Sequence, residues 1–272
     1  MPYFTTSDGV PLYYADQGTG RPLILQHALM FGADFFWQKN IPELARGCRV
    51  IALDARGNGL SGKPNTGYNF PRLAQDLREL ILHLDLRDVV LGGLSLGGFT
   101  SIEYLRTFGR DRIGALALME MTPRLPSAPG WEHPTFGNFP EEMARGYGTA
   151  FRANRAIYND FFNAAFLTPP AGEELAAMLA NTWLTPTDAA AELIDQMAAR
   201  DDRAWLPKIP VPVALFYGYP NNRILPTALG QWLQSQIPGS RLVLFGNSSH
   251  SPFWEEPAKF NAELLKFVRE AR

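Results

Sequence analysis

Short apolar runs recur along this chain at residues 10–16, 22–27, 49–54, 89–95, 113–120, 211–218 and 241–246, and several are continuous rather than alternating. A strand with one wet face must alternate; continuous apolar runs are what strands buried on both faces of a parallel sheet require. The gaps carry a different period. Leu73, Leu77, Leu80, Ile81 and Leu84 fall on one stripe of a helix, and Phe260, Leu264, Phe267 and Val268 repeat the pattern near the end. Strands alternating with helices predict an α/β fold: a mostly parallel, doubly wound sheet.

Residues 122–205 are far more chain than one crossover needs, so they are expected to be an inserted helical cap on a core made of residues 1–121 and 206–272. The insertion opens with Pro123, Pro126, Pro129 and Gly130 and is rich in aromatics, among them Trp131, Phe136, Phe139, Tyr147, Phe151 and Phe162. These predict an apolar cleft wall between cap and core.

Composition excludes several classes. With 46% hydrophobic and 19% charged residues in 272, the chain has ample apolar material for a core and is not disordered. A net charge of −2 with scattered Lys and Arg offers no field for a phosphate backbone, so nucleic acid is not an expected partner. The single Cys48 has no intramolecular partner and sits in a strand-like run, which points to packing. The first residues show neither a basic start nor an apolar signal core, and no apolar run reaches ~18 residues. A cytoplasmic protein without a membrane partner is the expectation.

Gly93-Leu94-Ser95-Leu96-Gly97 follows the apolar run at Val89 and precedes a segment, residues 99–108, that can be helical. A strand turning sharply into a helix strains its corner residue, and flanking side chains would collide; glycines on both sides of a serine suit an exposed nucleophile. A hydroxyl needs a base within hydrogen-bond reach. The candidates are His27, His83, His133 and His250. His83 falls mid-helix and His133 at the cap entrance. His250 follows the last strand, at the sheet edge where Ser95 emerges.

Three further segments carry a resemblance. Asp54-Ala55-Arg56-Gly57-Asn58-Gly59-Leu60-Ser61 looks like a D-x-R-G-x-G-x-S loop, residues 247–257 like a histidine loop followed by E-x-P, and Gln26-His27-Ala28-Leu29 like an H-G-x segment. In this order they resemble the α/β-hydrolase superfamily over nearly the whole chain. The resemblance implies Ser95 as nucleophile, His250 as general base and the N–H groups of Leu29 and Leu96 as oxyanion hole. Ala28 departs from the family's usual glycine, which makes Leu29 the less secure donor.

The triad acid departs more. The family commonly places it in a G-x-x-D setting after the penultimate strand; this chain reads Gly218-Tyr219-Pro220-Asn221-Asn222, with no carboxylate. Glu120, ending the preceding apolar run, resembles the acid of haloalkane dehalogenases and of some serine hydrolases, and is the choice here over Asn221 or Asn222. Asn222→Ala is therefore expected to change turnover little. Dehalogenation does not follow, because those enzymes need aspartate where Ser95 stands.

The expected function is hydrolysis of an ester, thioester or lactone of a small apolar molecule through an acyl-enzyme, with no cofactor and no metal. Candidate pocket residues are His27, Phe36, Trp131, Phe162 and Trp254. Arg124, Arg145, Arg152 and Arg155 could read a carboxylate, with a solvated helix face as the simpler account. Two alternatives stay open: a cofactor-free perhydrolase of haloperoxidase type, and a ligand-binding protein with a decayed triad. Homo-oligomerisation is also open.

Overall fold

A computed structural model of the chain describes residues 2–271. Its strands are β1 (Tyr3–Thr5), β2 (Pro11–Gln17), β3 (Pro22–Gln26), β4 (Arg49–Leu53), β5 (Val89–Leu94), β6 (Ile113–Met119), β7 (Val213–Gly218) and β8 (Arg241–Phe245). They form one sheet in the order β1-β2-β4-β3-β5-β6-β7-β8. β2 pairs antiparallel with β1 and β4, and every later neighbour is parallel.

Seven strands lie on the expected runs. β1 was not foreseen, since three residues with only Phe4 buried carry no readable pattern. The expected runs 89–95 and 113–120 each stop one residue early. Ser95 (φ 51°) and Glu120 (φ 47°) take left-handed backbone conformations that no ladder accommodates.

Continuous apolar strands serve two cores at once. Ile24, Ile51, Leu91, Leu116 and Leu118 pack with the helices Phe70–His83 and Leu96–Phe108 on one face. Their neighbours Leu23, Leu25, Val50, Val90 and Ala117 pack with Leu44, Phe260, Leu264 and Phe267 on the other. Side chains alternate sides along a strand, so a strand between two helical layers must be apolar at every position.

From β3 the chain moves outward to β4, then returns to place β5 on the other side of β3. Connections leaving β3 and β5 therefore diverge, opening a crevice at their carboxyl ends. Ser95 follows β5 there, and His27 to Leu29 follow β3.

Between β6 and β7 lie the helices Glu141–Ala153, Tyr158–Ala164, Gly172–Thr182 and Thr187–Ala199. Phe151, Leu193 and Met197 from this stretch join the same apolar cluster as Phe99 and Leu105 of the sheet layer.

The helix after β5 starts at Leu96, three residues before the expected start. It is pressed against its surroundings: a Cβ on Gly97 would lie 2.6 Å from the Gln26 carbonyl oxygen, and one on Gly93 would lie 2.3 Å from the Gly97 carbonyl oxygen. Gly97→Ala is expected to lower the free energy of unfolding by about 1–3 kcal/mol, read from urea denaturation, because backbone must shift to admit the methyl group. An unchanged midpoint would contradict this close packing.

Candidate active site

Ser95 occupies the corner between β5 and the helix Leu96–Phe108, at φ 51° and ψ −110°. Strain of this kind costs about 1–3 kcal/mol and persists only where the surroundings over-determine the backbone. Here the Ser95 N–H donates to the Met119 carbonyl (3.0 Å), and the Ser95 carbonyl accepts from Gly98 (2.9 Å) and Phe99 (3.2 Å).

Glu120 leaves β6 one strand away, and its carboxylate is fully buried. His250 Nδ1 lies 3.0 Å from Glu120 Oε2. The same oxygen accepts from Asn222 Nδ2 at 2.7 Å, and Oε1 accepts from the Gly218 N–H. Tyr217, next to this carboxylate, has its phenol pushed well up, first by burial and then by the Glu120 charge, and donates to the Met121 carbonyl (2.6 Å).

An ionised carboxylate only accepts, so His250 Nδ1 carries the proton in this pairing and Nε2 is left as the basic nitrogen. Nε2 is buried and has no partner among the described residues. Ser95, Glu120 and His250 line one cavity of about 90 Å³, together with Leu29, Phe99, Met121, Phe139, Ile194 and Met197. No hydrogen bond joins Ser95 to His250 in this structure; such contacts often tighten only when substrate binds.

The segment after β3 is held by side chains from its own start, from the loop after β4 and from the insertion. His27 Nε2 accepts from the Ala55 N–H (3.1 Å), which leaves Nδ1 to donate to the Ala28 carbonyl at 2.6 Å. Asp54 accepts from the Ala33 and Leu60 N–H groups, and burial pushes its carboxyl up to about 6. Asn181 Oδ1 accepts from the Gly32 N–H at 2.9 Å, tying the insertion to the same segment. Met30 has φ 68°, whereas Ala28 is not left-handed, so an alanine fits there without backbone strain. Leu96 is the first residue of its helix, so its N–H has no intrahelical partner.

The expected pocket residues divide. Phe36, Phe162 and Trp254 line a second cavity of about 40 Å³ that meets the first at Ala28, Tyr158, Phe161 and His250. His27 and Trp131 line neither cavity. His27 is 2% exposed and holds its loop by hydrogen bonds to Ala28 and Ala55 instead of facing a cavity. Trp131 packs edge-on against Trp232 (4.9 Å) and beneath the Arg203 guanidinium. His83 stacks on Phe4 and His133 packs against Trp131, both away from Ser95. Burial pushes the Cys48 thiol up to about 11, as its packing role requires.

Carboxylate recognition by the insertion's arginines finds no geometric support. Arg124 pairs with Glu141 and Asp201, Arg145 with Glu141, and Arg152 with Asp188 and Asp195. Arg155 donates to the Thr182 and Thr185 carbonyls and stacks on Trp183. None lines the cavity with Ser95. Among the described residues no group of three His, Cys, Asp or Glu side chains could hold a metal ion, and no helix is long and apolar enough to cross a membrane.

Residues 21–257 match the family described as the alpha/beta hydrolase fold. The chain belongs to that family. It is 30% identical to a putative non-heme chloroperoxidase of Synechocystis sp., covering 99% of this chain and 100% of that protein. An esterase from Exiguobacterium antarcticum superposes with a TM-score of 0.89 at 26% identity, covering 98% of this chain and 99% of that one. A bromoperoxidase from Bacillus anthracis gives 0.85 at 26% identity, covering 99% and 100%. This α/β hydrolase is thus an enzyme of hydrolase type acting on a small molecule.

His27 generates a pH prediction. Burial lowers its pKa from the ordinary 6.5 to about 4, so the folded chain keeps it neutral while an unfolded chain takes up a proton near 6.5. Its contribution to stability is complete above about pH 6.5 and is lost as pH falls toward 4. His27→Gln is expected to flatten the fall of the urea midpoint across that window; an equally steep fall would show that other groups carry the acid sensitivity.

Proposed function

We propose that this α/β hydrolase cleaves an ester, thioester or lactone of an apolar small molecule through an acyl-enzyme on Ser95. The observation that carries the reading is the 3.0 Å contact between His250 Nδ1 and Glu120, beside a cavity that Ser95 also lines. A carboxylate at the imidazole speaks against a merely ligand-binding protein, whose case rested on the missing acid at Asn221 and Asn222.

In this mechanism Ser95 Oγ attacks the carbonyl carbon while its proton passes to His250 Nε2. Glu120 fixes the imidazole tautomer and balances the imidazolium charge without taking a proton. The oxyanion is held by the N–H groups of Leu29 and Leu96, each such donor contributing about 2.7–4 kcal/mol to the barrier reduction. The imidazolium returns its proton to the leaving oxygen or sulfur. Water then attacks the acyl-enzyme with His250 as base, releasing the acid and restoring Ser95. Phe99, Met121, Leu125, Phe139, Ile194 and Met197 line the cavity, which favours an apolar acyl group. Residues 122–205, which supply several of these, act as the cap.

Rapid labelling by a fluorophosphonate probe, lost in Ser95→Ala, is the expected outcome; a folded wild type that resists labelling would remove the nucleophile assignment. Glu120→Gln is expected to lower kcat by about 10³-fold or more with little change in KM. A panel of p-nitrophenyl esters and lactones would identify the substrate class.

The names of the Synechocystis and Bacillus anthracis relatives favour one second reading, a perhydrolase in which hydrogen peroxide replaces water as acceptor of the acyl group. Peracid formation from acetate and peroxide at a rate rivalling ester hydrolysis would select it.

A further inference from the structure

Glu120 is a fully buried carboxylate with no lysine or arginine beside it. Its charge is met by N–H groups alone: Gly218 on Oε1, and His250 and Asn222 on Oε2. A glutamate carboxylate is set by three side-chain torsions, the last of them broad, so it needs more than one such donor to keep one oxygen facing the imidazole.

Asn222 is unusually well placed to supply that constraint. Its Oδ1 accepts from the Ile224 (3.0 Å) and Leu225 (2.9 Å) N–H groups, so its amide cannot turn over, and Nδ2 must face Glu120. The loop is anchored independently: the Arg223 N–H donates to Ser249 Oγ at 2.9 Å, and the Ile224 carbonyl accepts from the Phe136 N–H at 2.7 Å. Ser249 adjoins His250, and Ile224, Leu225 and Phe136 line the cavity.

We propose that Asn222 is a positioning residue: it acts through Glu120, holding Oε2 toward His250 and registering the acid against the loop that walls the cavity. This predicts the opposite of the expectation that Asn222→Ala would change turnover little. The proposal rests on the Ser95, His250 and Glu120 reading above, and adds that a side chain of the loop after β7, which carries no carboxylate of its own, serves the acid.

Two variants separate this role from mere support of the loop. Asn222→Ala removes both functions of the amide; Asn222→Asp keeps an acceptor for Ile224 and Leu225 but replaces the donor with a second negative charge. Asn222→Ala is expected to lower kcat by about 10- to 100-fold with KM nearly unchanged, as a misplaced catalytic group does. For Asn222→Asp the expected result is a folded protein whose kcat, measured with p-nitrophenyl butyrate, falls as well with KM nearly unchanged, because the fixed N–H donor on Oε2 is lost to a second carboxylate that repels Glu120 or shares its proton. A loop-support role predicts that Asn222→Asp, which keeps the acceptor for Ile224 and Leu225, keeps the wild-type kcat, and that result would overturn the proposal.

NMR titration of the His250 imidazole gives the same test without turnover. The midpoint is expected to move to lower pH in Asn222→Ala, where a carboxylate no longer held toward the imidazole favours imidazolium less, and an unmoved midpoint would sink the proposal even in an active enzyme. Should wild type hydrolyse none of the test esters, the reaction class falls while the titration still decides the role of Asn222.

Discussion

The close approach of three backbone segments at the carboxyl edge of the sheet governs the rest of this molecule. The end of β3, the last turn of β5 and the first turn of the helix Leu96–Phe108 meet so tightly that Gly93 and Gly97 have no room for a side chain. That contact forces Ser95 into a conformation a serine avoids when free, and the hydrogen bonds to Met119, Gly98 and Phe99 keep it there. It also brings Leu29 and Leu96, from two different connections, to the same crevice. Stability of the packed sheet is what maintains the strained corner.

Charge in the site is handled by dipoles. The cavity around Ser95 and His250 is mostly apolar, and the buried Glu120 is surrounded by amide N–H groups with no cation nearby. In a low-dielectric setting a fixed N–H keeps its orientation while water would have to reorganise, so developing charge meets partners already in place. The same economy holds beneath the oxyanion segment. There His27 stays neutral because burial disfavours its charged form, and Asp54 spends its oxygens on two backbone N–H groups.

Much of this was legible in the residues. Doubly buried strands announce themselves as continuous apolar blocks, and a glycine-flanked serine between such a block and a helix carries its own steric reason. Glu120 was picked out by a resemblance in the stretch that ends a buried run, and the fold brings its carboxylate to within 3.0 Å of His250 Nδ1. What stayed hidden depended on distances along directions the chain order does not encode. The turn of the Asn222 amide toward Glu120, and the reach of Asn181 back to Gly32, cross 102 and 149 residues respectively. Trp131 was read as a cavity residue from its neighbours in sequence, but ring packing against Trp232 turns it elsewhere. β1 was too short to show a period.

The insertion's shared core limits how a molecule can reach Ser95. Phe151, Leu193 and Met197 belong to the same apolar mass as Phe99 and Leu105, and prising the whole segment away would expose side chains worth about 1.5–3 kcal/mol each. A wholesale swing of this segment would therefore break the apolar mass it shares with the sheet layer. Between the two chambers the partition is thinner: Ala28, Tyr158, Phe161 and His250 line both, so the turn of a ring there would join them while the frame keeps its packing.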